Sequence, residues 1–70
     1  MIYIRLFSDL RLEINSTNGV VMIAEQAFHP GPNEWRTNYG IHWGKHHSED
    51  IIRAIAAASG LTVTVTKKEE

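Results

Sequence analysis

Asn15–Ala24, with the sequence NSTNGVVMIA, carries the clearest structural signal in the chain. Its first half is a cluster of turn-forming residues that ends in Asn18-Gly19, and its second half is an apolar run typical of a β-strand. An Asn-Gly pair readily adopts the left-handed backbone angles that a two-residue hairpin turn requires. We therefore predict a turn over Asn15–Gly19 and a strand that begins at Val20.

The residues before this turn alternate between aliphatic and other side chains. From Ile2 to Ile14 every even position is aliphatic except Ser8, and this period of two is typical of a strand. The alternation keeps its phase across Ser8-Asp9, which favours one long strand that is bent or bulged there. A tight hairpin at Ser8-Asp9 is the alternative, because a single strand over residues 2–14 would exceed the usual length.

A loop and a third strand are predicted after Ala24. His29–Glu34 contains both prolines of the chain, and proline cannot donate a hydrogen bond to a sheet ladder. We therefore expect a surface loop there and a third strand that starts at Arg36. In that strand the odd positions form a largely aromatic inner face, namely Thr37, Tyr39, Ile41 and Trp43.

The C-terminal third predicts one helix and a last strand. Ser48 fits the N-cap position of a helix over Glu49–Ser59, and Gly60 fits the left-handed position just beyond its end. Leu61–Thr66 then alternates apolar residues with threonine, which favours a half-buried strand. We expect residues 67–70, which are all charged, to form a frayed tail.

Together these elements predict a single small globular domain over residues 1–70 with an α+β fold. The expected order is β-β-β-α-β, with a mostly antiparallel sheet and one helix packed on one face of it. Helical spacing puts Ile51, Ile52 and Ile55 on the side of the helix that would cover the sheet.

The size of the chain limits the core that it can build. At 70 residues, of which 43% are hydrophobic, a folded monomer buries only about 60% of the surface that its unfolded chain exposes. Because the sequence contains no cysteine, neither a disulfide nor a thiolate metal site can add stability. We therefore expect the chain to rely on self-association, most simply as a homodimer.

Charge and hydropathy argue against several classes of partner. The 7 Lys and Arg nearly balance the 8 Asp and Glu, so the formal net charge of −1 gives no strong attraction for nucleic acid or for an acidic membrane. The longest apolar run, Val20–Ala24, is far shorter than the roughly 20 residues that span a bilayer. The N-terminus also lacks the pattern of a signal peptide, which predicts a cytoplasmic protein.

Aromatic and arginine side chains are the main candidates for binding a partner. Trp, Tyr and Arg dominate the energetics of protein interfaces, and a core this small cannot enclose every aromatic ring. The candidate residues are Trp35, Arg36, Tyr3, Arg5, Phe7 and Arg11. We interpret the chain as a non-enzymatic protein–protein interaction module, of the kind that phages and mobile elements use as accessory proteins or as inhibitors of a larger host complex.

A single-stranded nucleic-acid-binding domain is the first alternative. Such domains combine aromatic rings that stack on bases with cations that meet phosphates. Asp9 and Glu13 would repel a polyanion from the predicted face, so protein binding is favoured. By strand parity the four residues that would bind share that face, namely Tyr3, Arg5, Phe7 and Arg11.

The second alternative is an anion or metal site at Gly44–Ser48, the turn between the third strand and the helix. Free N–H groups at the start of a helix attract anions. No standard metal-ligand spacing is met, so we predict neither a metal nor a cofactor. The residues that would hold an anion are Lys45, His46, His47 and Ser48, and those that would supply metal ligands are His42, His46, His47 and either His29 or Asp50.

No catalytic site is predicted. Ser48, His46 and Asp50 are suitable residue types for a nucleophile, a base and an orienting group, but Ser48 is expected to cap the helix. A chain of this size also has little rigid structure with which to hold catalytic groups in place. We therefore expect no enzymatic activity.

Overall fold

The structure, a computed structural model, describes residues 1–68 and arranges them as one antiparallel sheet followed by a helix. A short 3₁₀ turn, Lys45–His47, leads into helix α1, Ser48–Ala58. The sheet order is β1-β2-β3-β4, so every strand pairs with its neighbour in sequence. The predicted α+β fold is confirmed, with the element order β-β-β-β-α. The strands are β1 Ile2–Phe7, β2 Leu10–Thr17, β3 Val20–His29 and β4 Glu34–Gly44.

A tight turn at Ser8-Asp9 divides the N-terminal segment into β1 and β2. The prediction of one long strand is therefore wrong, and the alternative of a hairpin is confirmed. The hairpin pairs Ile2 with Ile14. Each half of the segment then satisfies the backbone hydrogen bonds of the other, which a single extended strand could not do for itself.

Asn18 and Gly19 form the two-residue turn between β2 and β3. Both have left-handed backbone angles, with φ of 52° and 76°, as this kind of tight turn requires. Thr17 pairs with Val20 directly beside the turn, and the register of the whole hairpin follows from that pair. The turn at Asn18-Gly19 and the strand after it are confirmed, but the predicted turn is too long, because Asn15–Thr17 continue β2 and pair with β3.

The loop after β3 and the strand that follows it are also confirmed. Residues 30–33 form the turn, and β4 begins at Glu34, slightly before the predicted start. One residue of β4, Asn38, has no partner in β3 and forms a bulge. Because of this bulge Thr37 lies on the opposite face from Tyr39, which corrects the predicted inner face.

Helix α1 starts in a different way from the prediction. Ser48 has helical angles, φ −62° and ψ −38°, and the N-cap residue His47 makes no side-chain capping hydrogen bond. The prediction that Ser48 caps the helix is wrong, because the 3₁₀ turn already winds the chain before it. At the other end Gly60 has φ 70°, and the N–H of Leu61 donates to the carbonyl of Ala56 at 2.8 Å. The predicted glycine ending is confirmed.

The predicted strand Leu61–Thr66 is not formed among the described residues. This segment turns back beside the helix, where Val65 lines a cleft with Ile52 of α1. Its backbone therefore has no neighbouring strand with which to form a ladder, and the prediction of a final strand is wrong. Of the tail predicted to be frayed, residues 67–70, the last two lie outside the described residues.

One face of the sheet is apolar, and α1 lies over one end of it. Between them they enclose an apolar groove of about 290 Å³. The helix packs on one face of the sheet, but it covers only part of that face, and Tyr39 and Ile41 stay exposed. The groove is lined mainly by Ile14, Val21 and Ile23 of the sheet and by Ile51, Ile52 and Ile55 of the helix. We define the apolar face by the residues that cross-strand pairing places on the same side as Ile14, namely Ile2, Ile4, Leu12, Ile23, Ile41 and Trp43.

Candidate partner-binding site

The face of the sheet opposite the apolar face brings together most of the predicted partner-binding residues. Arg5 of β1 pairs with Arg11 of β2, and Arg11 pairs with Gln26 of β3. Gln26 in turn pairs with Thr37 of β4, and cross-strand partners share a face. A row of polar and charged side chains therefore crosses the whole sheet on this side.

An arginine guanidinium lies over two aromatic rings on this face. The Arg11 Cζ atom is 4.2 Å from the centroid of the Tyr3 ring and 4.3 Å from that of the Trp35 ring. The Arg5 Cζ atom is 5.6 Å from the same Trp35 ring. These distances are typical of cation–π interactions. We call Tyr3, Arg5, Arg11 and Trp35 the Arg–aromatic cluster.

Trp35 is positioned by its cross-strand neighbour. It pairs with Phe28, and the two ring centroids are 5.4 Å apart with an interplanar angle of 54°. Aromatic rings prefer such tilted arrangements to a face-to-face sandwich. The indole is only half-buried, so part of it remains available to a partner.

Gln26 holds the Arg11 guanidinium in place. Its side-chain carbonyl Oε1 accepts a hydrogen bond from Arg11 Nε at 2.8 Å. Its amide Nε2 donates to Glu13 Oε2 at 3.1 Å and to Thr37 Oγ1 at 3.3 Å. Gln26 is only 8% exposed, and a buried amide needs such partners because it has lost its contact with water. This network orients the guanidinium with respect to the rings.

The two cations of the cluster form no salt bridge with any acidic side chain that the structure describes. Arg5 and Arg11 lie directly opposite each other on adjacent strands, an arrangement of like charges that is destabilising. Within residues 1–68 neither forms a salt bridge, whereas Arg36 and Arg53 do. The cluster therefore presents positive charge beside aromatic rings to any molecule that lies on this face.

Two of the predicted partner-binding residues, Phe7 and Arg36, lie outside the cluster. The register of β1 shifts at a bulge just before Phe7, which pairs with Leu10 on the side of the apolar face. The predicted grouping of Phe7 with the arginines is therefore wrong, because strand parity assumes regular pairing. Arg36 pairs with Ala27 on the same side as Leu10 and forms a salt bridge with Glu34 at 2.8 Å.

Three residues that support the cluster, Gln26, Phe28 and Thr37, were not predicted from the sequence. A signal for Gln26 was present, because the two-residue turn after β2 sets a register in which Arg11 must pair with it. Phe28 follows Gln26 by two positions and so shares its face. Thr37 had no such signal, since the bulge in β4 depends on pairing between strands.

The strand-to-helix turn brings together only part of the predicted anion site. Lys45, His46 and Ser48 line a cleft of about 320 Å³, but the carboxylate-bearing Glu49 lines it too. The Ser48 Oγ accepts a hydrogen bond from Trp43 Nε1 at 2.9 Å, and its O–H can still donate to an anion. Lys67 of the C-terminal segment, which the sequence did not predict for this site, lines the same cleft and adds a positive charge, whereas the carboxylate of Glu49 opposes an anion there.

The histidines do not converge on a metal site. The rings of His46 and His47 are 4.0 Å apart between centroids, whereas His42 pairs with Met22 on the opposite face of the sheet from the apolar face. No group of three or more His, Asp or Glu side chains in the described part of the chain is placed to hold a metal ion. The metal alternative has no structural support in residues 1–68.

Comparison with protein-family models, with curated proteins and with solved structures finds no significant match to this chain. No helix within residues 1–68 is both long and apolar enough to cross a membrane. The geometry of the Arg–aromatic cluster is therefore the basis on which we assign a candidate function.

Proposed function

We propose that the chain is a non-enzymatic binding module that docks a protein partner through the Arg–aromatic cluster. The observation that carries this proposal is the stacking of Arg11 on Tyr3 and Trp35, while neither arginine of the cluster forms a salt bridge within the described residues. Guanidinium groups held in a fixed orientation recognise carboxylates through charge-assisted hydrogen bonds. The partner is therefore expected to present Asp or Glu side chains to the cluster.

The composition of the cluster suits a protein interface. Trp, Tyr and Arg are the residues whose truncation most weakens protein complexes. Phe28 and Gln26 already order the cluster, so less conformational entropy is lost when a partner binds. A module this small can act by covering a functional surface of a larger complex, which is the inhibitory role expected from its size.

A nucleic-acid partner fits the same geometry less well. Base stacking requires free ring faces, and Arg11 already lies over the rings of Tyr3 and Trp35. The formal net charge of −1 also provides no long-range attraction for a polyanion. We therefore favour a protein with an acidic surface and treat nucleic-acid binding as an outcome that the experiment detects.

The test uses the protein that copurifies with the tagged chain from its native host. This partner is purified, and its affinity is measured for the wild type, for Arg5→Gln and for Arg53→Gln. We expect Arg5→Gln to weaken binding about tenfold, because a charge-assisted hydrogen bond is lost. Arg53 is a matched control, since it is an arginine on α1 that is paired with Glu49, and its substitution should leave the affinity unchanged.

Equal affinities of the wild type and Arg5→Gln for the partner would contradict the proposal. A fluorescent single-stranded oligonucleotide is titrated in parallel at low and high salt. Oligonucleotide binding that falls steeply with salt and is lost in Arg5→Gln would favour the nucleic-acid alternative instead.

A further inference from the structure

The apolar face is uncovered over most of its length. Ile41 of β4 is 61% exposed, and Ile2 and Ile4 at the other edge of the sheet are exposed as well. Ile52 and Ile55 of α1 extend this surface beside the groove, although both also line it. Contiguous apolar surface of this kind marks an interaction site on a soluble protein.

A single copy of the chain does not enclose a core. Ala56 is the only buried hydrophobic residue in the described part of the chain, and no large side chain there is fully buried. A domain whose apolar side chains stay in contact with water gains little hydrophobic stabilisation to offset its conformational entropy. Stability of this fold therefore requires that something cover the apolar face.

The accessible surface area shows how much more surface this chain exposes than a compact monomer of the same mass. The accessible surface is 5799 Å², whereas a compact monomer of 7.9 kDa exposes about 4,400 Å². The excess is about 1,400 Å², and each partner in an interface of ordinary size buries about 800 Å². The chain is also elongated, with extents of 43 × 31 × 19 Å. The excess is large enough to form the interface of a stable dimer.

The charged groups on the apolar face are already satisfied within the chain. The Glu25 carboxylate accepts hydrogen bonds from Asn38 Nδ2 at 3.1 Å and from the Tyr39 hydroxyl at 3.2 Å. Arg36 is paired with Glu34. The pair of Arg36 with Glu34 carries no net charge, and both carboxylate oxygens of Glu25 are hydrogen-bonded within the chain. The rest of the face is mainly apolar, and such a surface is complementary to a copy of itself when a two-fold axis relates the two copies.

We propose that a second copy of this chain covers the apolar face, including the groove beside α1. The two copies are related by a two-fold axis, so the same residues contribute to both sides of the interface. This inference goes beyond the proposed function, because the Arg–aromatic cluster lies on the opposite face of the sheet and stays accessible in the dimer. Each dimer then carries two clusters and can bind two sites on a partner at once, which raises the overall affinity.

The mass of the protein in solution tests this proposal, measured by light scattering after size-exclusion chromatography. The wild type is expected at twice the 7.9 kDa of one chain. Ile41→Glu places a carboxylate in the apolar interface from each copy and is expected to weaken self-association about a hundredfold. Met22→Glu is the matched control, because Met22 is 43% exposed on the opposite face and its variant should remain dimeric.

A wild type with the mass of a single chain would overturn the proposal. A dimer that survives Ile41→Glu but dissociates on Met22→Glu would also overturn it, because the interface would then lie on the opposite face. An Ile41→Glu variant that unfolds while Met22→Glu stays folded supports it, since a residue so exposed in one copy tolerates a charge unless another copy covers it. None of these outcomes depends on Arg5, so failure here is distinguishable from failure of the proposed function.

Discussion

Gln26 is the residue on which the geometry of the Arg–aromatic cluster depends. It is the only buried polar residue among residues 1–68, and it connects β2 to β4 through the hydrogen bonds of its amide. Cation–π contacts alone are weak, so the guanidinium of Arg11 needs the Nε hydrogen bond to stay over the rings. Burying an amide costs stability unless it is hydrogen-bonded. Gln26 therefore needs its partners on both neighbouring strands, β2 and β4.

We predict that Gln26→Leu destabilises the fold by about 1–3 kcal/mol, because three hydrogen bonds lose a partner at once. Urea denaturation measures this as a lower midpoint with an unchanged slope. Asn15→Leu is the control, since Asn15 lies on the same face of the sheet as Gln26 and makes a single side-chain hydrogen bond, from Ser16 N, and its substitution should change stability by less than about 0.5 kcal/mol. Equal losses in the two variants would show that the network does not stabilise the sheet.

At the level of the elements, two β-bulges control which side chains reach the cluster. The bulge in β1 places Phe7 on the side of the apolar face, and the bulge in β4 brings Thr37 to the same face as Gln26. One extra residue reverses the face of every position beyond it, because side chains alternate along a strand. The alternation of the sequence therefore predicts which side chains share a face only as far as each bulge, and not for the positions beyond it.

The end of α1 yields a second prediction, for Gly60→Ala. Gly60 has φ 70°, and the added side chain would meet no other atom within 4 Å, so the cost comes from the backbone alone. We expect a loss of about 1 kcal/mol in the free energy of unfolding, measured by urea denaturation. Gly31→Ala is the control, because Gly31 lies in the loop without a positive φ and also has open space around it. A Gly31→Ala variant as destabilised as Gly60→Ala would rule out this explanation.

For the whole molecule, the main feature is an incomplete second layer over the sheet. Stable domains are built from at least two packed layers, and here α1 supplies the second layer at only one end of the apolar face. In the proposed dimer the other copy supplies the rest. Folding and association are then a single process, because neither copy has a stable core on its own.

This coupling predicts that the midpoint of thermal unfolding depends on protein concentration. For a dimer of this size the midpoint should rise by about 5 °C for each tenfold increase in concentration, because mass action favours the associated state. Calorimetry over a hundredfold range of concentration measures the effect. Met22→Glu should show the same dependence as the wild type, whereas a wild-type midpoint that does not move with concentration contradicts coupled folding and association.

Local chemistry was enough to predict most elements of this chain. The alternation of β2, the apolar run that begins β3, the Asn18-Gly19 turn and the Gly60 helix end depend on residues that are close in sequence, so their physical causes are visible there. The bulges, and with them the membership of the Arg–aromatic cluster, arise from pairing between strands. Leu61–Thr66 shows the same limit, because its alternating pattern is that of a strand, yet a strand forms only where a neighbouring edge accepts its hydrogen bonds.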